Sequence, residues 1–92
     1  MVIEFEEFSE INEDLVYLGD EPEQYKDAIV GLTYDSNHIV YSYEKLQEIM
    51  MKENGWTEEE ADEWISYNTA RAIDYMGEYK PILINEYVGN QK

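Results

Sequence analysis

Twenty-two aspartates and glutamates, one histidine and no cysteine set the chemistry open to this chain of 92 residues. Carboxylates do three kinds of work: they hold hard cations, they exchange protons in pairs, and they present negative charge to a basic surface. Cation binding needs oxygen ligands at fixed spacing. Asp35-Ser36-Asn37 has the opening of a calcium loop, but Val40 stands where that loop needs glycine and Leu46 where it needs glutamate. His38 lies in the same turn cluster without companions at ligand spacing, so it reads as a surface turn residue. The sequence has no glycine-rich phosphate loop, no nucleophile elbow and no Ser/His/Asp set singled out by spacing. Among 22 acids, carboxylate pairs arise by chance, so pairing identifies no acid–base couple. The expectation is no catalytic residue, no metal and no cofactor, which leaves the third kind of work.

The acids fall into two groups. Glu58, Glu59, Glu60, Asp62 and Glu63 form the densest run. Acids in a first helical turn complement the macrodipole at roughly 0.3–1 kcal/mol each, which accounts for two or three of the five. Glu4, Glu6, Glu7, Glu10, Glu13 and Asp14 form the other group, which that effect does not explain. Residues 1–28 hold ten acids against one base, Lys26, whereas residues 29–92 hold twelve against five. The candidate partner-binding residues are therefore Glu4, Glu6, Glu7, Glu10, Glu13 and Asp14 first, with Glu58, Glu59, Asp62 and Glu63 beside them.

These acids must be carried by a small α+β domain. Ile29–Tyr34 and Ile39–Tyr43 are rich in β-branched and aromatic residues, and Asp35-Ser36-Asn37-His38 between them predicts a hairpin with a four-residue loop. Gly31 inside the first strand implies a bulge or a close contact. A helix over 43–54 follows, capped by Ser42 and ended by Gly55, with Trp56 folding back on Met51. Tyr43, Leu46, Ile49 and Met50 form its buried stripe, and Glu48–Lys52 an i,i+4 pair. Thr57 and Glu60 make a capping box for a second helix reaching Met76, where Gly77 stops it. Its apolar face reads Ala61, Trp64, Ile65, Ala72, Tyr75 and Met76. Asn68 falls within that face and reads as a structural pin; Tyr67 and Arg71 are spaced for a stack. Ile82–Val88 is a third strand, and Gly89–Lys92 a frayed end. The expected fold is a small antiparallel sheet, hairpin plus C-terminal strand, with a helical hairpin on one face. One domain spans 1–92: an acidic segment over 1–28 and a β-β-α-α-β core over 29–88. In the acidic segment Val2–Glu7 reads as a short strand, and a helix over Glu10–Leu18 competes with an extended reading.

The net charge is -16, well beyond the magnitude of about 2–8 that keeps a small domain soluble. Such charge costs stability through self-repulsion, so it asks for a purpose: halophily, or imitation of a phosphate backbone. It argues against direct binding to nucleic acid or to an anionic membrane. With 43% hydrophobic residues, 14% of all residues aromatic, the chain has the means to fold. Nine tyrosines are too many for one small core, and the surplus suits an interface. The lack of cysteine, of an apolar span and of a leader pattern suggests a cytoplasmic protein.

In Ile39–Lys45, Trp56–Ala61, Asn68–Ala72 and Pro81–Leu83, the chain resembles short, functionally unassigned proteins of phages, prophages and Firmicutes genomes. The resemblance runs over residues 28–85 and leaves out the acidic N-terminal segment. It supplies no catalytic residues. It implies a mobile-element setting, in which small acidic proteins often inhibit host defence, anti-CRISPR proteins among them. The expected function is an acidic inhibitor that imitates nucleic acid and binds a basic nucleic-acid-binding protein of the host, a CRISPR effector above all. An adaptor whose charge serves solubility is the alternative, and an enzyme using carboxylate-bound magnesium is a more distant one. Homodimerisation through a sheet edge is compatible with each.

Overall fold

The fold is organised around Ser42, where the central strand runs directly into the longest helix. The computed structural model describes residues 3–87. Val2, Val88 and Gly89–Lys92, expected in strand ends and a frayed terminus, lie outside the described residues. Strands β1 (Ile29–Leu32) and β2 (Ile39–Ser42) pair antiparallel. The hairpin closes where the Thr33 N–H donates to the His38 carbonyl at 2.9 Å, so its loop is Tyr34–Asn37, one residue earlier than expected. Within the loop Asp35 accepts from the Thr33 hydroxyl at 2.6 Å and the Asn37 N–H at 3.1 Å. Those bonds, the Thr33 one foremost, hold the Asp35 carboxyl below its ordinary range. The register of the hairpin shifts between Ile29 and Gly31, the irregularity that the interior glycine implied.

Strand β3 (Ile82–Ile84) also joins β2, but in parallel, with Val40 opposite Ile82 and Ser42 opposite Ile84. The sheet, ordered β1-β2-β3, is therefore mixed, and the expectation of an antiparallel sheet fails at its last strand. Parallel neighbours need a long crossover, and the helical stretch between β2 and β3 supplies one. Two contacts fix the parallel register. At the start of β2, His38 Nδ1 meets the Lys80 carbonyl at 2.7 Å. At its end the Ser42 hydroxyl donates to Glu86 Oε2 at 2.7 Å.

Helix α2 (Tyr43–Asn54) begins with Ser42 Oγ accepting from the Lys45 N–H at 3.1 Å. It ends with Gly55 in the left-handed region at φ 69°, and the N–H groups of Gly55 and Trp56 both reach the Met51 carbonyl. Leu46 and Met50 are buried, as the stripe predicts. The Glu48–Lys52 pair does not form; both residues are exposed, and water leaves such pairs little net attraction. Thr57 and Glu60 then cap α3 (Glu58–Trp64) reciprocally, at 3.2 and 2.9 Å.

The second long helix is interrupted. A π-turn over Ile65–Thr69 separates α3 from a short helix over Ala70–Ile73. Ala61, Ile65 and Ile73 are buried, while Trp64, Ala72 and Tyr75 are exposed, which corrects the expected apolar face. The inward positions recur in steps of four: Ala61, Ile65, the half-buried Thr69, and Ile73. Four residues overshoot a regular α-turn by about 40°, so three such steps drift by about 120°. The extra residue of a π-turn absorbs most of that drift. Asn68 is exposed as a result, and its amide donates back to the Trp64 carbonyl at 3.2 Å rather than pinning a loop.

The N-terminal segment also departs from expectation. Residues Phe5–Glu7 form a 3-10 turn leading into α1 (Phe8–Ile11), so neither the strand nor the helix over Glu10–Leu18 forms. A strand would point Phe5 and Phe8 to opposite faces, whereas helical turns place both on one side. The helix stops because Asn12 is engaged elsewhere. Its Oδ1 accepts from the Asp14 N–H at 2.9 Å, while its amide donates to the Ser36 carbonyl and to Asn37 Oδ1 in the hairpin loop. Such side-chain bonds offer the backbone an alternative to helix. Phe8, Leu15 and Leu18 are buried in the same core as Ile39, Tyr41, Leu46 and Ile65.

Candidate interaction surface

The N-terminal acids ride on a chain fastened from beneath. Phe5 packs against Phe8 and edge-on against Tyr17, at centroid separations of 5.6 and 5.8 Å. Lys26 Nζ lies 5.2 Å from the Phe5 centroid. The one base of this segment thus lies over an aromatic face and, among the described residues, in no ion pair with the acids around it. Further along, the Leu18 N–H donates to the Tyr41 hydroxyl at 2.9 Å inside the core. Burial pushes the Tyr41 phenol up to about 12. Glu4, Glu6, Glu7, Glu10, Glu13 and Asp14 are all exposed above this base. Glu6 and Glu7 precede Glu10 by four and three residues, which gathers them on one side of the helical turns.

The second group lies against the start of α2. The Tyr43 hydroxyl donates to Asp62, and Gln47 Nε2 donates to the Glu58 carbonyl at 3.2 Å. Burial, joined by the bond and charge of Asp62, pushes the Tyr43 phenol up to about 12. Glu58, Glu59, Asp62 and Glu63 are exposed and, at spacings of three to five, share one flank of α3. The two acidic groups rest on different neighbours: one on Tyr17, Lys26 and the hairpin loop, the other on α2. Among the described residues the ion pairs are Lys45–Glu86 and Lys80–Asp74, each at 3.9 Å. None of the ten candidate acids belongs to either pair.

Beside the α3 acids lies a feature that periodicity conceals. The Trp56 and Trp64 rings stand 5.5 Å apart at 45°, and with Tyr67, Asn68, Glu60 and Glu63 they line a shallow groove of about 320 Å³. From the sequence, Trp56 falls at the helix junction and Trp64 on the expected apolar face. The four-residue spacing of Ala61, Ile65, Thr69 and Ile73 was the signal for moving Trp64 outward. On the same helix the Arg71 guanidinium lies 5.4 Å from the Tyr67 ring centroid, the stack that the spacing predicted.

Ser42, Lys45 and Glu86 also converge, a set invisible in sequence because Glu86 is 44 positions from Ser42. Ser42 is fully buried, and its hydroxyl is engaged by both the Lys45 N–H and Glu86. The Glu86 N–H in turn donates to Glu44 Oε1 at 3.0 Å, so the set fastens the end of β3 to the start of α2. His38 is half-buried rather than a free turn residue. Its Nδ1 carries the proton, since the Lys80 carbonyl can only accept. Among the described residues no three histidine, aspartate or glutamate side chains gather as a metal ion would require, and no helix is long and apolar enough to cross a membrane. No family model, curated protein or solved structure matches this chain.

Proposed function

We propose that this protein is an acidic inhibitor that imitates nucleic acid. It binds a basic nucleic-acid-binding protein of host defence, a CRISPR effector first, in the cytoplasm of the host cell. The observation that carries this reading is the uncompensated charge of the surface. All ten candidate acids are exposed and outside the ion pairs of the described residues, while Lys26 and Arg71 lie over aromatic rings. Carboxylates held this way keep their full field for a partner, which speeds encounter with a positive channel and competes with phosphates there. The mobile-element resemblance supplies the choice of host defence as the target class.

The test is recovery of partners by the tagged protein from host lysate at low and moderate salt, with identification by mass spectrometry. A CRISPR effector or another basic nucleic-acid-binding protein is expected, lost as salt rises and displaced by added DNA or RNA. Charge reversal at Glu6, Glu7, Glu10 and Asp14 is expected to weaken capture more than reversal at Glu48. Glu44 is a poor control because it holds the Glu86 backbone. A non-basic partner that survives salt would overturn this reading in favour of an adaptor.

A further inference from the structure

We infer that the groove between Trp56, Trp64 and Tyr67 receives an arginine side chain from the basic partner, with Glu60 and Glu63 facing its guanidinium. This deepens the function proposed above and rests on it, since it supposes that the partner is basic. The first ground is the walls. Two indoles meeting at 45° form a corner rather than a closed stack, and Trp64 and Tyr67 keep 46% and 62% of their surface in water. Large aromatics left exposed side by side mark interaction surfaces, and tryptophan and tyrosine are the types that dominate binding energy there.

The second ground is the rim. Glu60 commits Oε1 to the Thr57 N–H, which leaves its other oxygen without a hydrogen bond, and the Glu63 side chain takes part in no hydrogen bond or ion pair among the described residues. A cation on an aromatic face is attracted by the ring, and a carboxylate beside it adds a charge-assisted bond. A neutral apolar side chain would fill the corner yet leave both carboxylates without a counter-charge. Guanidinium fits better than ammonium because a planar cation stacks on indole and bonds a carboxylate at once.

The third ground lies in the chain itself, where the Arg71 guanidinium lies 5.4 Å from the centroid of Tyr67, so a ring that lines the groove already takes a guanidinium, from a residue outside the groove's lining. The π-turn that starts at Ile65 lets Ile65 and Ile73 keep the core while Trp64 faces out, and such turns recur at functional sites.

Trp56 and Trp64 are the only tryptophans in the chain, so indole fluorescence reports on this groove. The full chain is titrated with short peptides alike except for one residue: arginine, lysine or citrulline. The arginine peptide is expected to give a saturable change, with roughly tenfold weaker binding for citrulline and an intermediate value for lysine. Glu63→Gln, a surface change that spares the cap, is expected to weaken arginine binding several-fold, and Trp64→Leu to remove it. Should Trp64→Leu fail to fold, Glu63→Gln carries the test alone. Equal responses to arginine and lysine would leave only bulk charge attraction and overturn the inference, as would unchanged arginine binding in Glu63→Gln. The two proposals fail separately. A basic partner captured equally well by Glu63→Gln and Trp64→Leu overturns the groove and spares the inhibitor. An arginine-specific response in a chain that recovers no basic partner sustains the groove and overturns the inhibitor.

Discussion

The acids of α3 sit where a helix favours them, whereas those of the N-terminal segment sit on a chain held in place by distant groups. In α3, Thr57 and Glu60 cap each other, and Glu58 and Glu59 lie in the first turn, where the macrodipole stabilises negative charge. The N-terminal segment has no long helix to complement. It is tied by Asn12 to the hairpin loop, by Leu18 to Tyr41, and by Phe5 to Tyr17 and Lys26. Its carboxylates add repulsion and, apart from the capping box of Glu4 and Glu7 at the 3-10 turn, contribute little to that anchoring. Charge with a folding role explains itself. Charge that burdens the fold points to something outside the molecule, and for that reason the N-terminal group carries more of the functional proposal.

The largest expected effect tests the distant anchoring. Tyr41→Phe leaves the ring in its buried site and removes the acceptor of the Leu18 N–H. Leaving such a donor unpaired costs about 1–3 kcal/mol. The denaturant midpoint is expected to fall at unchanged slope, with faster amide exchange around Leu18. An alkaline arm sharpens the test. Burial raises the folded-state pKa of Tyr41 from 10.0 to about 12. The stabilisation is therefore complete below pH 10 and is lost as pH rises towards 12. Wild type is expected to lose stability across that window, and Tyr41→Phe to lose less of it, the remainder coming from Tyr43, Tyr17 and Tyr25, whose phenols burial also raises. Equal alkaline sensitivity in the two proteins would mean that Tyr41 does not couple to folding.

A smaller effect is expected at the locally built region. Thr57→Ala removes one half of the capping box and should cost about 1 kcal/mol. Exchange is expected to quicken at the start of α3 and to stay unchanged at Leu18, since the cap and the Tyr41 bond share no partner. A loss of protection at both places would show the two regions to be one cooperative unit and end the contrast between them.

That contrast also marks how much could be read in the sequence. Ser42, Gly55, Thr57 and Glu60 act on residues within four positions, so the bounds of α2 and the start of α3 were legible, and so was the α+β class. The hairpin was legible for the same reason, apart from one residue of loop. Asn12 acts on residues 24 and 25 positions away, and that distance is why the sequence could not show that the helix expected over Glu10–Leu18 does not form. The parallel setting of β3 depends on His38–Lys80 and Ser42–Glu86, pairs 42 and 44 positions apart. Of the candidate surface, the acids were legible because charge stays outside, and each of the ten is exposed. The tryptophan groove was not, because a 3.6-residue period hides a π-turn.

The smallest effect separates the two acidic groups most directly. Glu59 lies in the first turn of α3, where the macrodipole contributes roughly 0.3–1 kcal/mol. Asp62 and Glu63 repel it from three and four positions on, so Glu59→Gln should lower stability by only the small difference. Glu10 has like charges three and four positions before it, at Glu7 and Glu6, so Glu10→Gln should leave stability unchanged or raise it slightly. Thermal unfolding at low salt reads the opposite signs, and added salt should shrink both, because exposed charges are screened. Partner binding should order the same two variants the other way, with Glu10→Gln the more damaging. A residue whose charge lowers stability yet strengthens binding is the pattern expected of a surface shaped by its partner. If Glu10→Gln destabilises the fold as Glu59→Gln does, the N-terminal acids are structural, and the excess charge no longer argues for an external target.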